Sequence, residues 1–182
     1  MKEKFIPTNN DLSYYPLLFK ALEATRGDVV EMGTGHGSTP LLHDYMLLKD
    51  RFLHSYETNK EWFDKFKDLA SDRHALSLLS DWDICSNENK KPSVVFIDHA
   101  PGERRKEDIL RFEDTAGVLV IHDSEPTGAG NYKVRQHFRR FKYCVEVKTS
   151  GAWATALSNV IDVTGWIGEV FGDYEISGKD PR

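Results

Sequence analysis

Apolar and polar positions change period repeatedly along this chain. Leu17, Leu18, Ala21 and Leu22 recur at helical spacing and predict a helix over 12–25, which Gly27 closes. Residues 28–32 read as a short buried strand. Gly33 to Gly37 form a glycine loop, and Ser38-Thr39-Pro40 looks like a cap with proline in the first turn of a helix to about Lys49. A strand over 52–56 follows, then a helix capped by Asn59 that carries Trp62, Phe63, Phe66 and Leu69, then a strand over 74–79. The uninterrupted apolar run Val94-Val95-Phe96-Ile97 ends at Asp98, a helix is predicted over 103–113, and a second such run, 118–121, ends at His122-Asp123. The last long helix is predicted over 132–141. Segments 143–149 and 153–158 are separated only by a short turn at Ser150-Gly151, with no room for a crossover helix, so they pair antiparallel.

Strand–helix units in succession predict an α/β protein with a doubly wound, mostly parallel sheet of seven strands, covered on both faces and ending in an antiparallel hairpin. The 182 residues suit a single domain, with a core over about 11–159 and a C-terminal tail over 160–182. Sheets of this kind bind ligands at the carboxyl ends of their strands. The polar residues there are Glu31 with the glycine loop, Glu57, Asp81, Asp98-His99 and His122-Asp123.

Composition and charge narrow the classes. The net charge of -5 counts against a dedicated nucleic-acid binder. Lys133, Arg135, Arg139, Arg140 and Lys142 form one basic stretch and Arg104-Arg105-Lys106 another, and both read as solvated helix faces ahead of anion sites. No apolar run approaches the roughly 18 residues of a membrane span, and the start lacks a signal-peptide core. Cys85 and Cys144 lack ligand-like spacing, so a reduced, cytoplasmic protein is expected.

The glycine loop suits a nucleotide-like cofactor, because glycines let backbone approach a ligand closely. A phosphate-loop NTPase needs Gly-Lys-Ser/Thr, and here Gly37-Ser38-Thr39 carries no lysine. The dinucleotide fingerprint needs a third glycine where Ser38 stands, and Glu31 would repel a pyrophosphate. A cationic sulfonium tolerates that carboxylate. The series Glu31-x-Gly33-x-Gly35-x-Gly37 resembles the first motif of class I S-adenosylmethionine (SAM) dependent methyltransferases. The resemblance covers about 11–159 and implies a Rossmann-like fold with SAM on Glu31, Gly33, Thr34, Gly35, Gly37 and Ser38. It further implies Glu57 on the ribose hydroxyls, Asp81 with Trp82 at the adenine, and Asp98 after the fourth strand.

Methyl transfer aligns an acceptor with the sulfonium methyl, and a hydroxyl acceptor can also need a base. His99, His122 and Asp123 are the candidate catalytic residues, able to converge from adjacent strands. One branch of the family holds Mg²⁺ on acids after the fourth and fifth strands, matched by Asp98 and Asp123, but His122 departs from the expected oxygen shell and a metal is not favoured. Arg104 or Arg105 could bind an anionic acceptor, though a basic turn facing water is the preferred reading. His43-Asp44 reads as surface, and Tyr14, Tyr15, Trp62 and Trp153 as core or cofactor-cover aromatics. Asn9-Asn10-Asp11 is a candidate lid, and Gly128-Ala129-Gly130 a candidate acceptor rim. The expected function is methylation of a small molecule, foremost at oxygen, without nucleic acid or membrane as partner and with a second subunit able to complete a shallow pocket. The alternatives are a SAM-binding protein without transferase activity and, behind it, a nicotinamide oxidoreductase.

Overall fold

A computed structural model describes residues 12–85, 90–126, 132–149, 151–166 and 175–177. The strands are β1 (Val29–Met32), β2 (Leu53–Glu57), β3 (His74–Leu78), β4 (Val94–Ile97), β5 (Val118–His122), β6 (Tyr143–Lys148), β7 (Ala154–Ser158) and β8 (Glu175–Ser177). They form one sheet in the order β3-β2-β1-β4-β5-β7-β6-β8. β1 to β5 pair in parallel, and β7 enters antiparallel between β5 and β6. The seven expected strands are therefore present in a doubly wound arrangement, and β8 adds an antiparallel eighth on β6. The described part of the tail belongs to the fold: besides β8, Val163 is fully buried and Ile161 and Trp166 pack on the core.

Alternation along the central strands splits the interior into two layers. Val29, Val94, Phe96, Val118 and Val120 face α1 (Tyr15–Ala24) and α2 (Thr39–Lys49). Val30, Val95, Ile97, Leu119 and Ile121 face the layer that holds Ile109 and Phe112 of α4 (Arg105–Phe112). α3 (Lys60–Phe66) starts where Asn59 accepts from the Glu61 and Trp62 amides, as its sequence predicts. Below the opposite end of the sheet, Arg51 donates to the Leu22 and Gly27 carbonyls and to the Thr25 and Ser93 hydroxyls, closing the C-terminus of α1.

Two local expectations change. Ser38 makes no side-chain cap; the Thr39 hydroxyl instead accepts from the Gly35 amide of the preceding loop at 2.8 Å, with Pro40 in the first turn as expected. The last long helix is instead a 3-10 helix, Val134–Arg140, between left-handed Lys133 and extended Phe141. A period of three aligns Arg135, Phe138 and Phe141, placing both phenyl rings in the core and Arg135 against the buried Glu146 carboxylate. Among the described residues no helix is long and apolar enough to cross a membrane. The candidate lid at 9–11 and the candidate rim at 128–130 lie outside the described residues.

Gly117 leads into β5 against the chain entering β4. A Cβ there would sit 2.5 Å from the Ser93 carbonyl oxygen, whereas one on Gly27 would meet the Ser93 side chain at an ordinary 3.4 Å. Gly117→Ala should therefore lose about 1–3 kcal/mol of stability in urea unfolding. Gly27→Ala should stay within about 0.5 kcal/mol of the parent or gain slightly from a stiffer unfolded chain.

Candidate active site

Three strand ends and the glycine loop meet at one edge of the sheet. Gly33, at φ 94°, turns the chain out of β1 directly against the end of β4. A Cβ on it would lie 2.6 Å from the Cα of His99, so this crossing admits only glycine. Glu57, the last residue of β2, holds the loop from the other side. Its Oε2 accepts from the Thr34 amide at 2.9 Å and the Thr34 hydroxyl at 3.2 Å, and its Oε1 from the Thr58 and Asn59 amides at 2.8 Å each. These four donors fill the carboxylate's acceptor positions.

Between Gly33–Gly35, Glu57–Asn59, Trp62 and residues 98–101 lies a cleft of about 640 Å³. That size suits a cofactor or drug-sized ligand. Gly33, Thr34, Gly35, Glu57 and Asp98, all expected at a cofactor, line it together. Trp62, Thr58, Asn59, Ala100 and Pro101 line it as well. Trp62 is one of the aromatics expected in the core or over the cofactor, and Asn59 the expected cap of α3; Thr58, Ala100 and Pro101 carry no sequence signal beyond following a strand end.

Five expected contacts lie elsewhere. Glu31 is fully buried beneath the loop, because its position in β1 points it into the α1–α2 layer. There it accepts from Thr39 at 3.0 Å and from Ser55 at 2.5 Å, and burial pushes its carboxyl up to about 7 against the pull of those hydroxyls and Ser38. Gly37 and Ser38 sit behind the loop, where a Cβ on Gly37 would meet the Tyr14 hydroxyl at 2.6 Å. Asp81 is exposed and caps the 3-10 turn Trp82–Ile84 by accepting from the Asp83 amide. Trp82 is buried; its indole donates to the Ala100 carbonyl and its ring stacks on His99 at 4.3 Å. It supports the cleft from behind.

The two candidate bases part company. His99 is enclosed between Trp82 and α4, its Nε2 2.8 Å from the fully buried Asp108 carboxylate. His99 borders the cleft, but its ring is almost fully covered and ties the β4 loop to α4 through Asp108. His122 stands at the strand end, its Nδ1 3.1 Å from Asp98 Oδ1 and 3.6 Å from Asp123 Oδ1. Burial pulls its imidazole down, but Asp98 and then Asp123 outweigh that and hold it up to about 9. It is thus an imidazolium at neutral pH, a donor and no base. Burial alone would raise Asp98, yet His122 and Arg105 keep it below the usual carboxylate range.

Arg105 completes the cluster. It is 5% exposed and donates to the His99 and His122 carbonyls and to Asp123 Oδ2 at 3.0 Å, with Asp98 Oδ1 3.1 Å away. Arg104 pairs with Asp83 at 2.6 Å. Arg105 is spent inside the protein, whereas Arg104 is partly exposed and its partner Asp83 lies at the surface. Asp98, His122 and Asp123 offer ligand atoms within 4.8 Å of one another. A divalent cation does not fit them, because the Arg105 guanidinium already binds both carboxylates.

No family model and no curated protein matches the sequence. Solved structures do resemble the fold. A cofactor-bound Rv0187 from MTB is 16% identical with a TM-score of 0.61, covering 88% of this chain and 85% of its own. The O-methyltransferase TomG from Streptomyces achromogenes, involved in tomaymycin synthesis and solved with SAM, is 13% identical with a TM-score of 0.59, covering 84% and 81%. The MTase domain of METTL16 is 15% identical with a TM-score of 0.60, covering 86% and 71%. The chain shares the fold of these three proteins, two of which, TomG and METTL16, are methyltransferases by name. At such identities the likeness speaks for the architecture, and the chemistry must be argued from the residues.

Arg105→Met should cost about 3–5 kcal/mol, since it leaves two partly buried carboxylates without their cation; chemical unfolding measures this. His122 titrates near 9 when folded against an ordinary 6.5, so its stabilisation is complete below about 6.5 and lost as pH rises through about 9. Unfolding free energy should fall by roughly 3 kcal/mol across that window in the parent protein and stay flatter in His122→Gln.

Proposed function

We propose that this protein is a SAM-dependent methyltransferase acting on the oxygen of a small-molecule acceptor. The observation that carries the reading is the charge of the cleft. Glu57 and Asp98 both line it, and among the described residues no lysine or arginine does. A pyrophosphate placed there would meet the Glu57 carboxylate, and the nearby cations Arg105 and His122 are already engaged by Asp98 and Asp123, which speaks against a nicotinamide dinucleotide. A sulfonium with free ribose hydroxyls complements the same walls.

The residues fit SAM as follows. Gly33 and Gly35 bring backbone to the amino-acid end of the ligand. Glu57 exchanges its longest internal bond, the 3.2 Å contact with the Thr34 hydroxyl, for a ribose hydroxyl. Trp62, only partly covered, offers its ring as an apolar wall. When bound, the cofactor supplies an electrophilic methyl group on a cationic sulfur. Asp98 marks the junction between the cofactor cleft and the β5 end, so an acceptor approaches over His122 and Asp123. His122, as an imidazolium, donates to the acceptor and orients it. Asp123, fixed at Oδ2 by Arg105, presents its carboxylate to take the hydroxyl proton as the oxygen attacks.

Calorimetry should show SAM and S-adenosylhomocysteine binding and no binding of NADH. Trp62→Ala should weaken SAM by about tenfold, the loss of roughly 1.4 kcal/mol of stacking and burial. Gly35→Arg, which puts a long cation against the cleft, should weaken it further. Failure of both nucleosides to bind at millimolar concentration, or tight NADH binding, would overturn the reading. Conversion of SAM to S-adenosylhomocysteine with a panel of hydroxylated acceptors then separates a transferase from a protein that only binds SAM.

A further inference from the structure

A file of polar groups crosses the apolar α1–α2 layer, from the flank of α2 to the glycine loop. His43 on α2 is half-buried, and its Nδ1 lies 3.2 Å from Nδ1 of His74 on β3. The His74 ring is 1% exposed, and its Nε2 lies 2.9 Å from the Ser55 hydroxyl on β2. Ser55 donates to Glu31 Oε2 on β1 at 2.5 Å. Glu31 Oε1 accepts from Thr39, which accepts in turn from the Gly35 amide at the cleft. His74, Ser55, Glu31 and Thr39 are all buried in an otherwise hydrophobic layer. Burying so many polar groups is costly unless each is bonded, and here each finds a partner in line.

Counting hydrogens allows two orderings of this file. Ser55 has one proton. If it donates to an ionised Glu31, it must accept from His74 Nε2–H, and His74 Nδ1 must then accept from His43 Nδ1–H. If Glu31 carries a proton on Oε2, every bond reverses: Glu31 donates to Ser55, Ser55 to His74 Nε2, and His74 Nδ1–H to His43. Passing from the second ordering to the first moves one proton along each link, and one proton leaves from His43 Nε2 to water. No other bond changes.

We infer that His43, His74 and Ser55 are a proton relay that sets the charge of Glu31 under the glycine loop, and that binding a cationic ligand in the cleft drives a proton out through it. The second half rests on the SAM reading above. An ionised Glu31 accepts more strongly from Thr39 and so fixes the Gly35 end of the loop, and it is one bonded step from the residue that lines the cleft. A positive ligand favours that ionised state, and by linkage the ionised state favours the ligand.

The charged surroundings are consistent with this. Burial and Asp98 at the end of β4 oppose the ionisation of Glu31, while the Ser38, Ser55 and Thr39 hydroxyls favour it. Burial, then His43 on α2 and His54 on β2, lower His74 to about 4 despite the nearby Leu69 carbonyl. His74 is therefore a neutral ring at working pH, as a reversible link requires, while Glu31 titrates near 7.

Two measurements on the full chain test the relay and its coupling separately. Infrared difference spectroscopy without ligand, parent minus Glu31→Gln, isolates the Glu31 carboxyl. Its protonated band should disappear with a midpoint near pH 7, and Ser55→Ala should move that midpoint upward by about one pH unit, since the anion loses a donor. A Glu31 already ionised at pH 5, or a midpoint unmoved in Ser55→Ala, overturns the relay whatever SAM does. Calorimetry with SAM in buffers of different ionisation enthalpy then counts protons. Relative to Glu31→Gln, the parent should release an extra fraction of a proton and gain about fivefold in affinity between pH 6 and 8. SAM binding with equal proton release in both proteins overturns the coupling alone. No SAM binding in either overturns the coupling and the methyltransferase reading together, while the ligand-free titration still decides the relay.

Discussion

One guanidinium, sealed beneath the ends of two parallel strands, organises this site. Parallel strands leave their last carbonyls pointing at nothing, and Arg105 takes one from each of the β4 and β5 exits while facing a carboxylate from each. Its side chain is nearly enclosed, so the attraction is little screened by solvent. Much follows from that placement. Two acids are held side by side without mutual repulsion, a histidine between them stays charged, and the set has no vacancy of charge for a metal. The cluster is two anions and two cations, balanced internally, and it sets its own protonation states without help from a ligand.

The glycine loop is held by a complementary device. Gly33 lets β1 pass over the end of β4 at backbone contact, and Glu57 gathers the amides of both the loop and the β2–α3 turn. The rigid part of the cleft is thus made from main chain bonded to one carboxylate. The adaptable part is side chain, notably Trp62 with Lys65 over its ring at 3.8 Å. Stable geometry sits where a cofactor common to many acceptors would be, and freedom sits at the rim.

The fold was legible because strands such as Val94–Ile97 are buried on both faces and show as unbroken apolar runs. The site was legible only in part. Asp98-His99 and His122-Asp123 look equivalent on paper, each an acid–histidine pair closing a strand. A single step in alternation sends His99 back toward Asp108 and leaves His122 at the mouth, and one step is less than the margin of a boundary read from sequence. Glu31 was misplaced for a related reason: in a four-residue strand buried on both sides, periodicity does not say which layer an acid enters. His43 and His74 lie 31 residues apart and belong to different elements, so nothing local marks them as neighbours. The 3-10 helix at 134–140 carries its three-residue period too briefly to be told from an α-helix.

The short strand β8 has a consequence for how the molecule meets others. A sheet's outermost strands carry a row of unpaired amides and carbonyls, which invite any extended chain to join. Here the protein's own tail takes that place on β6, through Glu146, Val147 and Lys148. The described sheet is left with β3 as its other flank, a five-residue strand whose last residue, Leu78, is exposed. Fibre-like growth needs two open flanks on each molecule, and the strand that ends the described sheet on this side is only three residues long, a short template for pairing.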